Sequence, residues 1–229
     1  MTSVVLFDTT LRDGMQGEGM SISAEEKVRV AHALDGLGIH FIEAGFLSSN
    51  PKDERGFELL ENERFDHATI VAFGMTRRRD VRASDDAGLR LMAESWVPAC
   101  CLVGKTWKLH LEKVTKVDPD ENLAMIADSI SFLAAQGKRV IYDAEHFFDA
   151  YRDDPDYALA CLRAAADAGA ENVTICDTNG SSLPPQVRAA TEHVVRELGD
   201  SVQVGIHTHD DAGCGVANSL VAVEAGAGM

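Results

Sequence analysis

His207-Thr208-His209 ends the apolar run Val202-Gln203-Val204-Gly205-Ile206. In a strand, side chains two apart point the same way, so both imidazoles share one face at the strand's C-terminal end, where they are placed to grip one metal ion. Acidic residues end other apolar runs: Asp13 just after the first, then Glu43, Glu145 and Asp177. An HxH pair alone is a weak signal. Carboxylates recurring at strand ends turn it into the pattern of a metal-dependent enzyme built on a barrel.

These residues must be positioned by short apolar strands that alternate with helical patterns. Strands are expected near 4–8, 40–45, 69–74, 96–103, 139–144, 172–177 and 202–208, with helices near 24–37, 52–62, 77–92, 120–136, 156–168, 184–198 and 214–225. The strands are continuously apolar, as in a parallel sheet covered by helices. Ser23 and Glu26 have capping-box spacing, and Gly38 follows the helix they start. Asp120 is the expected cap of the helix that Gly137 ends, and Pro155 opens the next, which Gly169 closes. Gly38…Glu43, Gly137…Glu145 and Gly169…Asp177 repeat the order helix stop, strand, acid, at the length of about 30 residues that βα units have.

Repeated βα units allow a (β/α)8 TIM barrel or an open doubly wound sheet. No GxGxxG follows a strand and no Walker lysine motif occurs. Polar residues end many strands rather than the few at a switch point, which favours the barrel and its C-terminal face. One domain over residues 1–229 is expected, apparently truncated after seven βα units, because the chain reaches Met229 where an eighth strand should begin. Seven strands alone would leave two unpaired edges and an open core.

A net charge of −16 argues against nucleic acid or an anionic membrane as the main partner. The five cysteines form no CxxC pair, which fits a reducing, cytoplasmic setting. No apolar run approaches the roughly 20 residues that span a bilayer.

The segment Asp8-Thr9-Thr10-Leu11-Arg12-Asp13-Gly14-Met15-Gln16 resembles the signature of the metal-dependent Claisen-condensing barrels, the isopropylmalate, homocitrate and citramalate synthases, whose aldol-cleaving relatives include 3-hydroxy-3-methylglutaryl-CoA lyase. The segment His207-Thr208-His209-Asp210-Asp211 is similar to their metal motif. Asn50-Pro51-Lys52-Asp53, Ala72-Phe73-Gly74-Met75-Thr76-Arg77-Arg78, Gly104-Lys105-Thr106-Trp107, Asp143-Ala144-Glu145-His146-Phe147-Phe148-Asp149 and Cys176-Asp177-Thr178-Asn179-Gly180 look most like the citramalate synthase branch.

The resemblance implies that Asp13, His207 and His209 bind a divalent cation. One carboxylate and two imidazoles suit Mn²⁺, Zn²⁺, Co²⁺ or Mg²⁺. It implies a catalytic role for Arg12, a pocket for the oxo acid shaped by Glu145, a substrate hydrogen bond from Thr178, and an acid near metal and arginine at Glu43. Asp8 and Asp177 read as structural. Tyr142, Phe147 and Phe148, near a strand end, are candidates to limit the pocket to a small substituent, and Arg77-Arg78-Arg79 to meet the phosphates of coenzyme A.

The implied reaction is condensation of acetyl-CoA with pyruvate to citramalate, by a homodimer in amino-acid biosynthesis. The alternatives are 2-isopropylmalate or homocitrate synthesis, a lyase reaction, or a non-catalytic metal-binding barrel fragment. Two departures stand out. Glu43-Ala44-Gly45-Phe46-Leu47 replaces a Gly-Trp-Pro run usual in the branch, and the family's later asparagine-bearing metal loop, with its downstream base and allosteric region, is absent from these 229 residues.

Overall fold

The computed structural model describes residues 4–47 and 50–229. Among them, seven strands form one parallel sheet in chain order: β1 (Phe7–Asp8), β2 (Phe41–Phe46), β3 (Thr69–Met75), β4 (Ala99–Lys105), β5 (Arg139–Glu145), β6 (Asn172–Asp177) and β7 (Gln203–Thr208). Helices α1 (Ala24–Gly36), α2 (Pro51–Leu60), α3 (Ala87–Glu94), α4 (Lys108–His110), α5 (Pro119–Ala135), α6 (Phe147–Asp153), α7 (Pro155–Asp167), α8 (Pro184–Leu198) and α9 (Gly215–Glu224) connect or follow them. This is α/β architecture with the strand order of a TIM barrel through seven units.

Both faces of the sheet are apolar. Phe41, Val71, Phe73, Ala99, Cys101 and Ile141 pack inside it. Alternate residues such as Ile42, Ile70, Leu102, Val140, Val173 and Ile175 pack outward beneath the helices, against Leu60, Leu89, Ile126, Leu133, Leu162 and Val187. Met229 joins the inner layer. Gly228 donates its N–H to the Val204 carbonyl and accepts from Val5 N–H, both at 2.8 Å, while Ile206 N–H reaches the Met229 carbonyl at 2.9 Å. These bonds bridge β7 to β1 at the base, so the two edges expected to stay unpaired are joined there.

Toward the C-terminal ends the inward positions turn polar, and that change of chemistry along one face makes the site. A bulge at Ala44–Gly45 sets its phase: Glu43 pairs with Val71 and Gly45 with Ala72, so Phe46, like Glu43, meets an inward partner, Phe73. Gly45 has φ of 136°, and a Cβ there would press on Asp53 and Lys27 at 3.2 to 3.3 Å.

Lys27 ties this corner together. Its buried ammonium donates to the carbonyls of Leu11 (3.1 Å) and Ala44 (3.0 Å) and to Asp53 Oδ1 (2.6 Å). We expect Lys27→Met to lower stability by about 2–4 kcal/mol, because buried acceptors lose their donor. It should read as a lower urea midpoint at unchanged slope. A wild-type midpoint would show that the tie is dispensable.

Most expected elements are found within a few residues. The helix expected over 77–92 is shorter: α3 starts at Ala87, where Asp86 accepts from the N–H groups of Gly88 and Leu89. Before it the chain makes only a 3-10 turn at Ala83–Asp85, and Asp80, left-handed with φ of 59°, interrupts the expected helix. The cap of α5 is Asp118, not Asp120, with Pro119 opening the helix. Helices α4 and α6 were not expected from the pattern. All five cysteines are free thiols, and no helix among the described residues is long and apolar enough to cross a membrane.

Candidate metal centre

After β1 the chain reverses in a turn in which the Thr9 carbonyl accepts from the N–H groups of Arg12 (3.1 Å), Asp13 (2.8 Å) and Gly14 (3.1 Å). Asp8 braces it by accepting from Thr10 N–H (2.9 Å) and Thr10 Oγ (3.0 Å), a structural task. Leu11 is fully buried and anchors the turn, leaving Arg12 and Asp13 at the mouth of the sheet.

Across the mouth, His207 and His209 stack with ring centroids 5.4 Å apart. Asp13 Oδ2 lies 3.3 Å from His207 Nε2 and 3.4 Å from His209 Nε2. The intervening Thr208 points away, donating to the Gly215 carbonyl at 2.9 Å. His209 N–H is held by the Asp177 carbonyl at 3.2 Å. Asp177 itself accepts from Ser182 N–H and Oγ (3.1 and 2.9 Å), again a structural task. The ligand atoms of Asp13, His207 and His209 fall within 4.8 Å of one another. One carboxylate and two imidazoles fit a divalent first-row cation or Mg²⁺ and leave coordination positions for substrate.

Hydrogen bonding to His207 drives the Asp13 carboxyl down to about 2, against its partial burial and with help from Arg12. Burial opposes charge on His207, but contacts to Asp13 and Asp143 outweigh it and hold the imidazolium well above its ordinary range. These are the settings of two groups of opposite charge sharing a cation-sized space.

Arg12 lies beside them. Its Nε meets Glu43 Oε2 at 2.5 Å, Nη1 lies 3.4 Å from Asp13 Oδ1, and the guanidinium covers the Phe73 ring at 3.9 Å. Glu43 is fully buried. Burial pushes its carboxyl upward, and the Arg12 charge pulls the other way. Glu43 therefore holds and aims Arg12.

Glu145 faces inward at the end of β5 and pairs with Lys105, its register partner on β4. Thr178 Oγ accepts from the His146 N–H at 2.9 Å. Tyr142 is not brought to the mouth. It lies one residue out of phase with Glu145, fully buried on the helix side, where its ring fills the space left by Gly104; a Cβ there would come within 2.6 Å of it. Phe147 and Phe148 are likewise part of the outer core. None of the three shapes a pocket for the substituent: strand alternation turns Tyr142 outward, and Phe147 and Phe148 lie on α6 within the same outer core.

Arg77 is also a structural residue. It is buried, and its guanidinium donates to Asp128 at 2.9 Å and Glu121 at 2.7 Å on α5. We expect Arg77→Met to lower stability by about 1–3 kcal/mol, read as a lower urea midpoint; a wild-type midpoint would contradict this. Arg78 and Arg79 are exposed and line a cavity of about 750 Å³ that also includes Phe46, Phe73, Val103 and Lys105.

Two inward residues escaped the sequence reading. Lys105 was quoted only within a motif, and Asp143 likewise, although it stands two residues before Glu145 and must share its face.

The HMGL-like family matches residues 3–229, and the chain belongs to that family. It is 49% identical to a (R)-citramalate synthase of Synechocystis sp. across the whole chain, and 44% identical to one of Geobacter sulfurreducens across 99% of it. It is 36% identical to a probable 2-isopropylmalate synthase of Methanopyrus kandleri. The chain spans 42 to 43% of the length of these relatives. An HMG-CoA lyase of Bacillus subtilis superposes with a TM-score of 0.81 at 18% identity, covering 100% of this chain and 76% of the lyase. The carboxyl transferase domain of Rhizobium etli pyruvate carboxylase gives 0.70 at 19%, covering 99% of this chain and 39% of the other. These structures share the fold.

Proposed function

We propose that this chain is the catalytic barrel of a citramalate synthase, which condenses acetyl-CoA with pyruvate and water to citramalate and free CoA. The observation that carries the reading is the convergence of Asp13, His207 and His209 beside a guanidinium held by a buried carboxylate, in a chain most similar, among the relatives named, to citramalate synthases.

Asp13, His207 and His209 would hold the divalent cation. When bound, it supplies Lewis-acid polarisation of the ketone under attack. The chain's own residues do the rest. Arg12, fixed by Glu43 and the Phe73 ring, presents positive charge where the ketone oxygen becomes an alkoxide. Thr178 and Glu145 lie at the ends of neighbouring strands to orient the oxo acid. A base takes a proton from the acetyl methyl group, and the resulting carbanion forms the new bond to C2 of pyruvate. Water then cleaves the thioester, releasing CoA as a thiol and making condensation irreversible. The pantetheine arm has the cavity beside Phe46, Phe73 and Lys105 to enter, with Arg78 and Arg79 available to its phosphates.

Thiol release from acetyl-CoA tests the assignment. It should be fastest with pyruvate and abolished by chelator. A preference for 2-oxoisovalerate or 2-oxoglutarate would move the protein to the isopropylmalate or homocitrate reaction. Acetoacetate formed from 3-hydroxy-3-methylglutaryl-CoA would overturn the synthase reading altogether.

A further inference from the structure

His207 is faced by a carboxylate on each ring nitrogen. Asp13 Oδ2 stands 3.3 Å from Nε2 on the mouth side, and Asp143 Oδ2 stands 3.5 Å from Nδ1 on the inner side. We propose that Asp143 is a positioning residue for the metal centre: it stands behind Nδ1 of His207, orients the ring, and so leaves Nε2 as the nitrogen that meets the cation. The inference rests on the metal-centre reading above and extends it by one shell.

Asp143 is buried on β5, facing inward between Ile141 and Glu145, and lines a cavity of about 250 Å³ with Thr174, Ile206 and His207. Among the described residues, His207 is its only ion-pair partner. A buried carboxylate needs a donor beside it, and the His207 ring nitrogen is the one the fold sets there. The same contact settles a choice that His207 cannot make alone. A free imidazole exchanges between two tautomers and rotates about its side-chain bonds. A carboxylate behind one nitrogen stops both and raises the basicity of the other.

A competing arrangement shares these atoms. Asp143, Cys176 and His207 also place their ligand atoms within 4.8 Å, so a cation could in principle sit on Nδ1. One feature counts against it: the Cys176 Sγ is turned to the Thr174 carbonyl at 3.7 Å. The mouth-side set, by contrast, needs no buried thiolate.

Titration of the full chain with Mn²⁺, read by the electron paramagnetic resonance of free ion, tests the proposal, alongside the absorption spectrum of the Co²⁺ form. Asp143→Ala should weaken Mn²⁺ binding by about 10- to 100-fold. Asp143→Asn keeps the shape and an acceptor oxygen, so it should fold as wild type and fall between the two. Cys176→Ser should bind as wild type, and the Co²⁺ protein should show no thiolate-to-metal charge-transfer band. Wild-type Mn²⁺ affinity in both Asp143 variants would overturn the proposal while leaving the metal centre intact. Loss of binding in Cys176→Ser, with a thiolate band in the Co²⁺ protein, would also overturn it, by placing the cation on Nδ1. A wild-type protein that binds no Mn²⁺ would remove the metal centre itself, and the proposal with it.

Discussion

Alanine at His207 should cost at least about three orders of magnitude in kcat/KM for pyruvate and acetyl-CoA, together with divalent-cation binding. His207 is the hinge of the site, since both of its nitrogens face carboxylates, Asp13 and Asp143. Removing it deletes one of three converging donors and leaves those carboxylates facing each other without the group between them. A Lewis acid on a reacting carbonyl supplies several kcal/mol, and about 4 kcal/mol corresponds to a thousandfold in rate. Added Mn²⁺ should not rescue the variant at concentrations that saturate wild type. Thiol release measured with and without added metal checks this. A wild-type rate would place the reacting carbonyl somewhere other than beside His207.

Arg12→Met should lose about 10²- to 10³-fold in kcat, the usual cost of removing a preorganised charge from a developing oxyanion. It should also lose about 3–5 kcal/mol of stability, because Glu43 is fully buried and Arg12 is its partner. The pH dependence follows from Glu43. Burial raises its carboxyl in the fold above the unfolded value near 4.3. Without Arg12 it rises further, so the folded variant binds a proton more tightly than the unfolded chain. Its stability therefore falls as pH rises through the folded pKa and recovers as pH falls below it. Urea melts at about pH 8 and about pH 5 should show the larger deficit at the higher pH. The double variant Arg12→Met, Glu43→Gln should regain most of the stability and none of the rate. Recovery of turnover in the double variant would reduce Arg12 to a structural counter-charge.

Much of this site was legible because strand alternation is a strict rule. Two imidazoles at His207 and His209 had to share a face, and Glu43 and Glu145 reach the same mouth, whereas Asp177 braces Ser182 instead. Nearness to a strand end, which made Tyr142 a candidate, yields to the same rule. Tyr142 stands one position from Asp143 and three from Glu145, so it belongs to the opposite face and packs under the helices. Asp143 was missed although parity alone places it inside. Phe46 enters the inner face through a bulge at Ala44–Gly45 that local sequence does not announce.

The helix expected over 77–92 is interrupted at its start, where Asp80 is left-handed and Arg82 extended, while the Arg77 side chain is spent on Asp128 and Glu121 of α5. The short helices α4 and α6 are likewise pinned by distant contacts, Trp107 Nε1 to Asp153 and Lys108 Nζ to Asp154, both at 2.5 Å. His146 opens α6 in a left-handed conformation with φ of 56° that its residue type does not foretell. Gly228 and Met229 stand where the pattern places the start of an eighth strand, but that so short a segment already bonds to both β7 and Val5 is not written in its composition.

The central claim is that Asp13, His207 and His209 hold a cation against which a 2-oxo acid is presented. Anomalous diffraction at the manganese edge, from crystals of the full chain grown with Mn²⁺ and pyruvate, tests it most directly. One manganese peak is expected, bonded to Asp13 and to Nε2 of both histidines, with the pyruvate carboxylate and ketone oxygens on the open side toward Arg12. A peak elsewhere, or pyruvate bound away from the metal, would contradict it.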